Sequence, residues 1–226
     1  MNLNVEKILI IGLGMIGSSI ALASKSKGIK VYGFDKSNNS IKEALEKNII
    51  DSKVESILDI NSKDFVKKVD LIIVAVPPKQ TLDVFNELKD IWNTDVTITD
   101  TSSVKNHIKL DDASNIVLSH PIAGSDQSGI SAANEDLFKN KKNVICDPFN
   151  SKKGHFEKVD NFWKNALQMR TSSMSVTEHD LIFAMTSHLP HLVSYALIDS
   201  IRLSNHDVDD NAGGGLKEFL RLNGSN

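Results

Sequence analysis

Two polar clusters in this chain follow apolar segments and contain residue types that act in catalysis. One is DTSSVK at 100–105, and the other is SHPIAG at 119–124, which includes His120. The residue before a proline favours extended backbone, so His120 is expected at a strand end, where an imidazole can act as a general base near neutral pH. A histidine satisfied within a loop fits this spacing equally well, and DTSSVK alone favours a polar turn that caps a helix.

A third cluster, SHLPH at 187–191, places His188 and His191 three residues apart, on neighbouring positions of one helix face. Metal binding is the least favoured interpretation, because neither an H-E-x-x-H pattern nor clustered carboxylates accompany the pair. Polar substrate binding and a structural role at a helix kink are both favoured over it. Further along, the glycines at 213–215 would let the backbone approach a ligand, and Arg221 would suit a carboxylate.

These clusters need a scaffold, and KILIIGLGMIG at 7–17 indicates its first elements. An apolar run without helical periodicity that ends in Gly12, Gly14 and Gly17 predicts a strand, a tight turn and a helix. In that setting one glycine permits the turn, one lets a pyrophosphate approach the backbone, and one lets the helix pack close to the strand. The free N–H groups at the helix start would bind the phosphate. An ordinary glycine turn is the alternative, because this pattern is common by chance.

An acidic residue at the end of the second predicted strand separates these two interpretations. IKVYGF leads into Asp35, about 20 residues after the glycines, where a ribose hydroxyl needs an acceptor. The same carboxylate would repel the 2′-phosphate of NADP, which favours NAD. With both features present, the sequence predicts dinucleotide binding.

The chain up to about residue 174 alternates strands and helices, which predicts an α/β fold with a Rossmann-type, doubly wound, mostly parallel sheet. LIIVAV at 71–76 is apolar on both faces, as a central parallel strand should be. Further strands are expected at 96–99, 116–119, 143–147 and 169–173, and helices at 40–48, 81–91 and 157–167.

The pattern changes near residue 174. From 177 to 204, apolar residues recur at helical spacing, and TEHD is interpreted as an N-terminal cap of the Thr-x-x-acid kind. This helix is longer than those before it, and Pro190 within it is expected to remove one backbone donor and to produce a kink.

Composition narrows the class of protein. A net charge of −3 over 226 residues provides no basic field for nucleic acid or an anionic membrane. No apolar run is expected to reach the roughly 20 residues that span a bilayer, and the N-terminal segment lacks the layout of a signal peptide. Cys146 is the single cysteine, so neither an internal disulfide nor a cysteine-based metal site is expected. We therefore expect a cytoplasmic protein.

Taken together, the motifs resemble the prephenate and arogenate dehydrogenases of tyrosine biosynthesis in order and spacing, over essentially the whole chain. They are GLGMIGSSIA, YGFD, IIVAVPP, DTSSVK, SHPIAGSDQSG, EHD, SHLPH and GGGLKEFLR. The resemblance implies a NAD-binding Rossmann domain at 1–174 and an incomplete helical substrate and dimerisation domain at 175–226. It also implies a homodimer without a metal.

The family oxidises a cyclohexadienol: hydride leaves ring carbon 4 for the nicotinamide, carbon dioxide departs and the ring becomes aromatic. His120 matches the catalytic histidine that accepts the 4-hydroxyl proton, and Ser103 matches the serine that holds this histidine and the hydroxyl in place. The resemblance thus implies NAD-dependent oxidative decarboxylation of prephenate to 4-hydroxyphenylpyruvate. The alternatives are use of arogenate or of both substrates, and a NAD-binding module without turnover.

Other site residues are carried over in the same way. Arg221 matches the arginine that binds a substrate carboxylate, and His188 and His191 match a helix pair lining the site, with His191 on the substrate side. Ser125 and Asp126 match a loop that influences substrate preference, where the family more often has Thr and Glu. Gly214 is one further expected substrate contact. The expected cofactor contacts are Gly12, Gly14, Met15, Ile16, Gly17, Asp35, Val76 and Pro77.

The sequence departs from the family pattern at its C-terminal end. Family chains continue past the GGG…R segment through further helices, whereas this sequence ends five residues after Arg221. We therefore expect either a fragment or a naturally short homologue. The apolar face of the helix at 177–204 would then lack its usual partners, which predicts self-association or poor solubility.

Overall fold

The computed structural model describes residues 5–124, 127–204 and 213–216. The strands fall close to the apolar segments of the sequence. They are β1 (Lys7–Ile11), β2 (Lys30–Phe34), β3 (Ser52–Lys53), β4 (Leu71–Val74), β5 (Thr97–Asp100), β6 (Leu118–Ile122), β7 (Lys142–Cys146) and β8 (Arg170–Ser173).

The α-helical segments up to residue 204 lie between and after these strands. They are α1 (Met15–Lys25), α2 (Asn38–Glu46), α3 (Ile57–Ile60), α4 (Lys63–Val66), α5 (Pro78–Glu87), α6 (Lys153–Asn161), α7 (Val176–Phe183) and α8 (Leu189–Leu203). Two π-helical turns continue helices, Phe162–Ala166 after α6 and Ala184–His188 between α7 and α8.

The first five strands form one parallel sheet in the order β3-β2-β1-β4-β5. Strand β4 is fully buried on both faces, as its continuous apolar sequence predicts. Apolar clusters cover the two sides of the sheet, and helices cross between neighbouring parallel strands. The predicted Rossmann-type α/β fold is therefore confirmed. The carboxyl ends of β1, β2, β4 and β5 share one edge, where ligands bind in such sheets.

A second, smaller sheet has the order β6-β7-β8, with an antiparallel β6–β7 pair and a parallel β7–β8 pair. The segment that leads into β6 pairs with β5 through a parallel bridge between Ile116 and Ile98. His120 lies within β6 and pairs with Val144, rather than following the strand as the sequence suggested. The strand extends through Pro121 because β6 is an edge strand of this sheet, where a missing N–H is tolerated.

The long helix differs from the sequence expectation in two ways. It spans Val176–Leu203, 28 residues that include an 18-residue stretch with a mean hydropathy of 1.4, so by length and composition alone it could cross a membrane. The expectation that no apolar run reaches membrane-spanning length is therefore wrong, because the charged residues lie near the helix ends. A single such helix is weak evidence for a membrane protein. The second difference is that a π-helical turn precedes Pro190, where the sequence predicted a kink.

Candidate functional site

The turn after β1 is shaped by two glycines that leave no room for a side chain. Gly12 has a φ of +99°, and a Cβ there would lie 2.5 Å from the Ala75 carbonyl oxygen. At Gly17 a Cβ would lie 1.9 Å from the Gly12 carbonyl oxygen, so α1 packs directly on the turn. Gly14 instead faces open space, with no atom within 4 Å of a Cβ added there. Gly12 and Gly17 therefore have the positions that the sequence predicted for the turn and for close packing, and the approach of a ligand at Gly14 stays a prediction.

The start of α1 offers free backbone donors toward this open space. The helix begins at Met15 after Gly14, and no described side chain caps it. The N–H groups of Met15, Ile16 and Gly17 lie in the first turn, where an α-helix provides no internal acceptor. Together with the helix dipole, they suit an anionic group such as a pyrophosphate.

Asp35 is tied to the glycine turn from the end of β2. Its Oδ2 accepts a 2.7 Å hydrogen bond from the Leu13 N–H, and its Oδ1 accepts a 2.8 Å bond from the Ser37 N–H. Each carboxylate oxygen keeps acceptor capacity, so Asp35 can still accept from a ribose hydroxyl. A cleft of about 290 Å³ adjoins it and is lined by Gly12, Gly14, Asp35, Lys36, Val76 and Pro77, among others.

The DTSSVK segment after β5 is braced by a buried ion pair. The Lys105 Nζ donates to Asp100 Oδ2 at 2.6 Å and to the Ser119 carbonyl oxygen, and both charged side chains are fully buried. Burial lowers the pKa of Lys105, while the Asp100 carboxylate opposes that change. The interpretation of DTSSVK as a polar turn therefore misses its main contribution, which is to join β5 to β6.

Ser119, which accepts the hydrogen bond from Lys105, directly precedes the candidate base His120. Its N–H donates to Asp100 Oδ1 at 3.0 Å, and its hydroxyl oxygen accepts from Thr99 Oγ1 at 2.9 Å and from Trp163 Nε1 at 3.0 Å. The residue is fully buried. These contacts fix the backbone that presents His120.

The His120 imidazole lies against α7. Its Nδ1 is 2.9 Å from His179 Nε2, and the Phe183 ring packs edge-on at 4.7 Å between ring centroids. Burial lowers the pKa of His120 to about 3, with further lowering by the positive charge of Lys105, so the ring is neutral near pH 7. A neutral imidazole with its other nitrogen free can accept a proton from a ligand.

His179 and Asp180 complete this arrangement, and sequence reasoning missed both as site residues. His179 is fully buried, and its Nδ1 lies 2.7 Å from Asp180 Oδ1. The sequence predicts a Thr177 cap for the TEHD segment, and this is wrong, because Ser175 caps the helix by accepting from the Glu178 N–H. With the cap two residues earlier, the Asp180 carboxylate can accept from the backbone N–H groups of Lys105 and Asn106. No local pattern in the sequence marks either residue, because their partners lie 59 and 75 positions away along the chain.

Other predicted site residues are placed less closely around the base. Among the described residues, the Ser103 hydroxyl makes no hydrogen bond to His120, although it lies on the braced segment. His188, on the π-helical turn, is near enough for its charge to lower the pKa of His120. His191 follows on α8, half-buried.

Several predicted substrate contacts cannot be located in the same way. Ser125, Asp126 and Arg221 lie outside the described residues, and Gly214 lies in a short described segment, 213–216. Within residues 5–124, 127–204 and 213–216, no group of three or more His, Cys, Asp or Glu side chains is arranged to hold a metal ion. The buried Cys146 thiol has its pKa raised to about 11 by burial, so it is neutral.

Two family models match this chain in succession. "Prephenate dehydrogenase, nucleotide-binding domain" matches residues 20–168, and "Prephenate dehydrogenase, dimerization domain" matches residues 175–226. The first match covers β2 to β7 and begins after the glycine turn. The second covers the whole of α7 and α8. The two matches meet near residue 174, where the pattern of the sequence changes.

Individual relatives agree with these matches. The chain is 32% identical to the prephenate dehydrogenase of Bacillus subtilis over 235 aligned residues, covering 98% of this chain and 62% of that protein. It is 33% identical to the cyclohexadienyl dehydrogenase of Zymomonas mobilis, covering 87% of this chain and 67% of that protein. The chain thus spans about three fifths of the length of the B. subtilis relative.

A solved structure is similar over the full length of this chain. It is the crystal structure of prephenate dehydrogenase from A. aeolicus in complex with hydroxyphenyl propionate and NAD+. The TM-score is 0.90 at 30% sequence identity, and the match covers 100% of this chain and 80% of that chain.

Proposed function

The chain belongs to the prephenate dehydrogenase family, and on that premise we propose that it catalyses the NAD-dependent oxidative decarboxylation of prephenate to 4-hydroxyphenylpyruvate. One observation carries the proposal: a glycine-lined cleft with an acidic residue lies at the carboxyl ends of β1 and β2, and a neutral, half-buried histidine follows Ser119, which is hydrogen-bonded to Asp100 at the carboxyl end of β5. That combination supports a dehydrogenase, because one site suits a dinucleotide and the other suits removal of a hydroxyl proton.

The residues around the first cleft fit NAD. The N–H groups of Met15, Ile16 and Gly17 would bind the pyrophosphate, Gly14 would let it approach, and Asp35 would accept from the adenosine ribose. Val76 and Pro77 would contact the cofactor from the end of β4. When bound, NAD supplies the acceptor for the hydride that leaves the substrate ring.

His120 would take the proton from the substrate 4-hydroxyl. Its Nδ1 already has a partner in His179, so the Nε2 is the nitrogen available to the hydroxyl. Removing this proton as the hydride departs avoids a positively charged intermediate. The loss of carbon dioxide and the gain of aromaticity then make the overall reaction effectively irreversible. We assign Ser103 to orienting the hydroxyl, since it lies on the braced segment beside the base.

The remaining substrate contacts are carried over from the family. Arg221 would bind a carboxylate, His188 and His191 would line the site, and Gly214 would let the backbone approach. Ser125 and Asp126 would influence the choice between prephenate and arogenate. Use of arogenate as well as prephenate is the second candidate function, because the Z. mobilis relative is a cyclohexadienyl dehydrogenase at 33% identity.

A cytoplasmic homodimer is the proposed assembly. The long helix exposes a row of large apolar side chains: Leu181, Met185, Leu189, Leu192 and Val193. This part of the chain matches the dimerisation domain of the family, so we expect a second copy of the chain to pack against these side chains. That assignment accounts for the apolar composition of the helix without a membrane.

The test follows NADH formation by the 226-residue chain with prephenate and with arogenate, and compares His120→Asn. We expect kcat to fall by about 10²- to 10⁴-fold while NAD affinity stays within twofold. His155→Asn is the matched control, because His155 is also buried and hydrogen-bonded, to Thr97, but lies away from the site. NAD binding without NADH formation from either substrate would support the alternative of a non-catalytic NAD-binding module.

A further inference from the structure

We propose that His179 and Asp180 are positioning residues for the reaction, which hold His120 in one tautomer and share the positive charge that it gains. The proposal rests on the proposed function, because it concerns the base of that reaction. Neither residue contacts the reacting atoms, and both act through His120. They are contributed by α7, in the part of the chain that matches the dimerisation domain, whereas the base is contributed by β6.

The geometry is a chain of three side chains. His120 Nδ1 is 2.9 Å from His179 Nε2, and His179 Nδ1 is 2.7 Å from Asp180 Oδ1. Asp180 is held in turn by the backbone, accepting from the Lys105 N–H at 2.9 Å and from the Asn106 N–H at 2.8 Å. The carboxylate is thereby fixed to the segment that follows β5.

The carboxylate determines the positions of the protons. Although partial burial raises the pKa of Asp180, hydrogen bonds from His179 and from the backbone lower it below the usual value. An ionised carboxylate only accepts, so the His179 Nδ1 must carry a proton, and the neutral ring then has its lone pair on Nε2. His120 must therefore donate its Nδ1–H to His179. The free lone pair of His120 is on Nε2, the nitrogen that would face the substrate hydroxyl.

This arrangement can take up the substrate proton and stabilise the positive charge that it brings. The substrate O–H bond breaks and an Nε2–H bond forms on His120, which gains one positive charge. The His120 Nδ1–H can then be shared with His179 Nε2, so that the charge lies beside the Asp180 carboxylate. No proton needs to leave the protein during the step, and no redox partner is required. Charge-assisted hydrogen bonds of this type are about twice as strong as neutral ones.

An aromatic ring packs beside the contact between the two histidines. The Phe183 ring lies 4.7 Å from the His120 ring and 4.6 Å from the His179 ring, measured between centroids. His179 has no exposed surface. In such a setting hydrogen bonds between polar groups are strengthened, and an unpaired group would be costly.

Other ionisable groups near the two histidines influence their titration. Lys105 and His188 lower the pKa of His120, as does His179, whereas Asp180 raises it. The paired Asp100 raises the pKa of His179, although burial keeps that pKa below its usual value. Across these groups Asp180 is the residue whose charge favours protonation of His120.

The test compares kcat, KM and the pH profile of the wild type with those of His179→Gln and Asp180→Asn. We expect each variant to lower kcat by about 10- to 100-fold, with KM for both substrates within about threefold. Loss of the Asp180 charge lowers the pKa of His120 further, so no fall in activity appears between pH 8 and pH 6. His155→Gln, which replaces a buried histidine outside the site, should leave all three measurements unchanged.

A purely structural role predicts the opposite pH behaviour. Burial is the largest cause of the low pKa of His120, so a disrupted site would admit water and move that pKa toward 6.5, the usual value. Activity of Asp180→Asn would then fall between pH 8 and pH 6, and this result would overturn the proposal. Variants that keep kcat within twofold of the wild type would overturn it as well.

Failure of the proposed function is distinguishable from failure of this inference. If the wild type oxidises neither prephenate nor arogenate, the function is wrong, and the arrangement is judged from ¹⁵N chemical shifts of the imidazole nitrogens. The proposal requires a protonated Nδ1 and an unprotonated Nε2 on both His120 and His179 at pH 7. A protonated Nε2 on His120 would overturn it whatever the activity.

Discussion

The cofactor cleft and the histidine site are built in different ways, although both adjoin the carboxyl ends of the parallel strands. The cleft is formed by backbone: its shape depends on Gly12 and Gly17, and its acidic residue is 22 positions from the amide that it holds. The histidine site is formed by side chains that lie 59 and 75 positions from their partners. The first should therefore be sensitive to added volume, and the second to lost charge or lost hydrogen bonds.

The largest expected effect is at the brace of the histidine site. Lys105→Met keeps most of the side-chain volume but leaves Asp100 buried without its ionic partner, and removal of one partner of a buried pair costs about 3–5 kcal/mol. We expect the free energy of unfolding in urea to fall by that amount.

The matched control for this change is Lys53→Met. Lys53 pairs with Glu55 at 2.9 Å, but both side chains are largely exposed, so we expect a change of less than about 1 kcal/mol. Equal losses in the two variants would show that the brace is no more than a surface ion pair, and the contrast between the two regions would fail.

Added volume at the glycine turn should have the next largest effect. Gly17→Ala places a methyl group 1.9 Å from the Gly12 carbonyl oxygen, so the turn must move away from the helix. We expect the Kd for NAD, measured by titration calorimetry, to rise by about 100-fold, about 2.7 kcal/mol, which is within the range for overpacking. Gly154→Ala has open space around the new methyl group and should leave the Kd unchanged. If Gly17→Ala binds NAD as tightly as the wild type, the prediction that the cleft is sensitive to added side-chain volume is wrong.

The smallest expected effect concerns charge in the cofactor cleft. Asp35 should make the wild type prefer NAD to NADP strongly, and Asp35→Asn should reduce that preference by about tenfold, because repulsion of the 2′-phosphate is lost. Lys36 lines the same cleft and remains in the variant. The measurement is the ratio of kcat/KM for the two cofactors. Equal use of NAD and NADP by the wild type would contradict the assignment of Asp35 to the ribose.

The difference between the regions also explains what the sequence could predict. The glycine turn is encoded within a few consecutive residues, and its three glycines have the expected separate positions in the structure. The fold class could be predicted because strands such as β4 are continuous apolar runs between turn residues. The family could be identified because its motifs retain their order and spacing along the chain.

The side-chain network could not be read in this way. His179 and Asp180 can act on His120 only because α7 packs beside β6. No local pattern in the sequence predicts that contact. The TEHD segment was misread because Thr177 and Ser175 are both plausible caps, and the structure uses Ser175. The assigned roles of Ser103, His188 and His191 stay predictions, as do those of the residues outside the described ranges.

The π-helical turn at Ala184–His188 has a consequence for how one helix serves two surfaces. An α-helix rotates by about 100° per residue, and a π-helical turn accommodates roughly one extra residue, so the phase of everything after it shifts by about that angle. Before the turn, the helix directs His179 toward His120, while Leu181 is exposed; after it, Leu192 and Val193 are exposed. The shift in phase thus decides which residues after the turn continue the exposed apolar row that begins at Leu181.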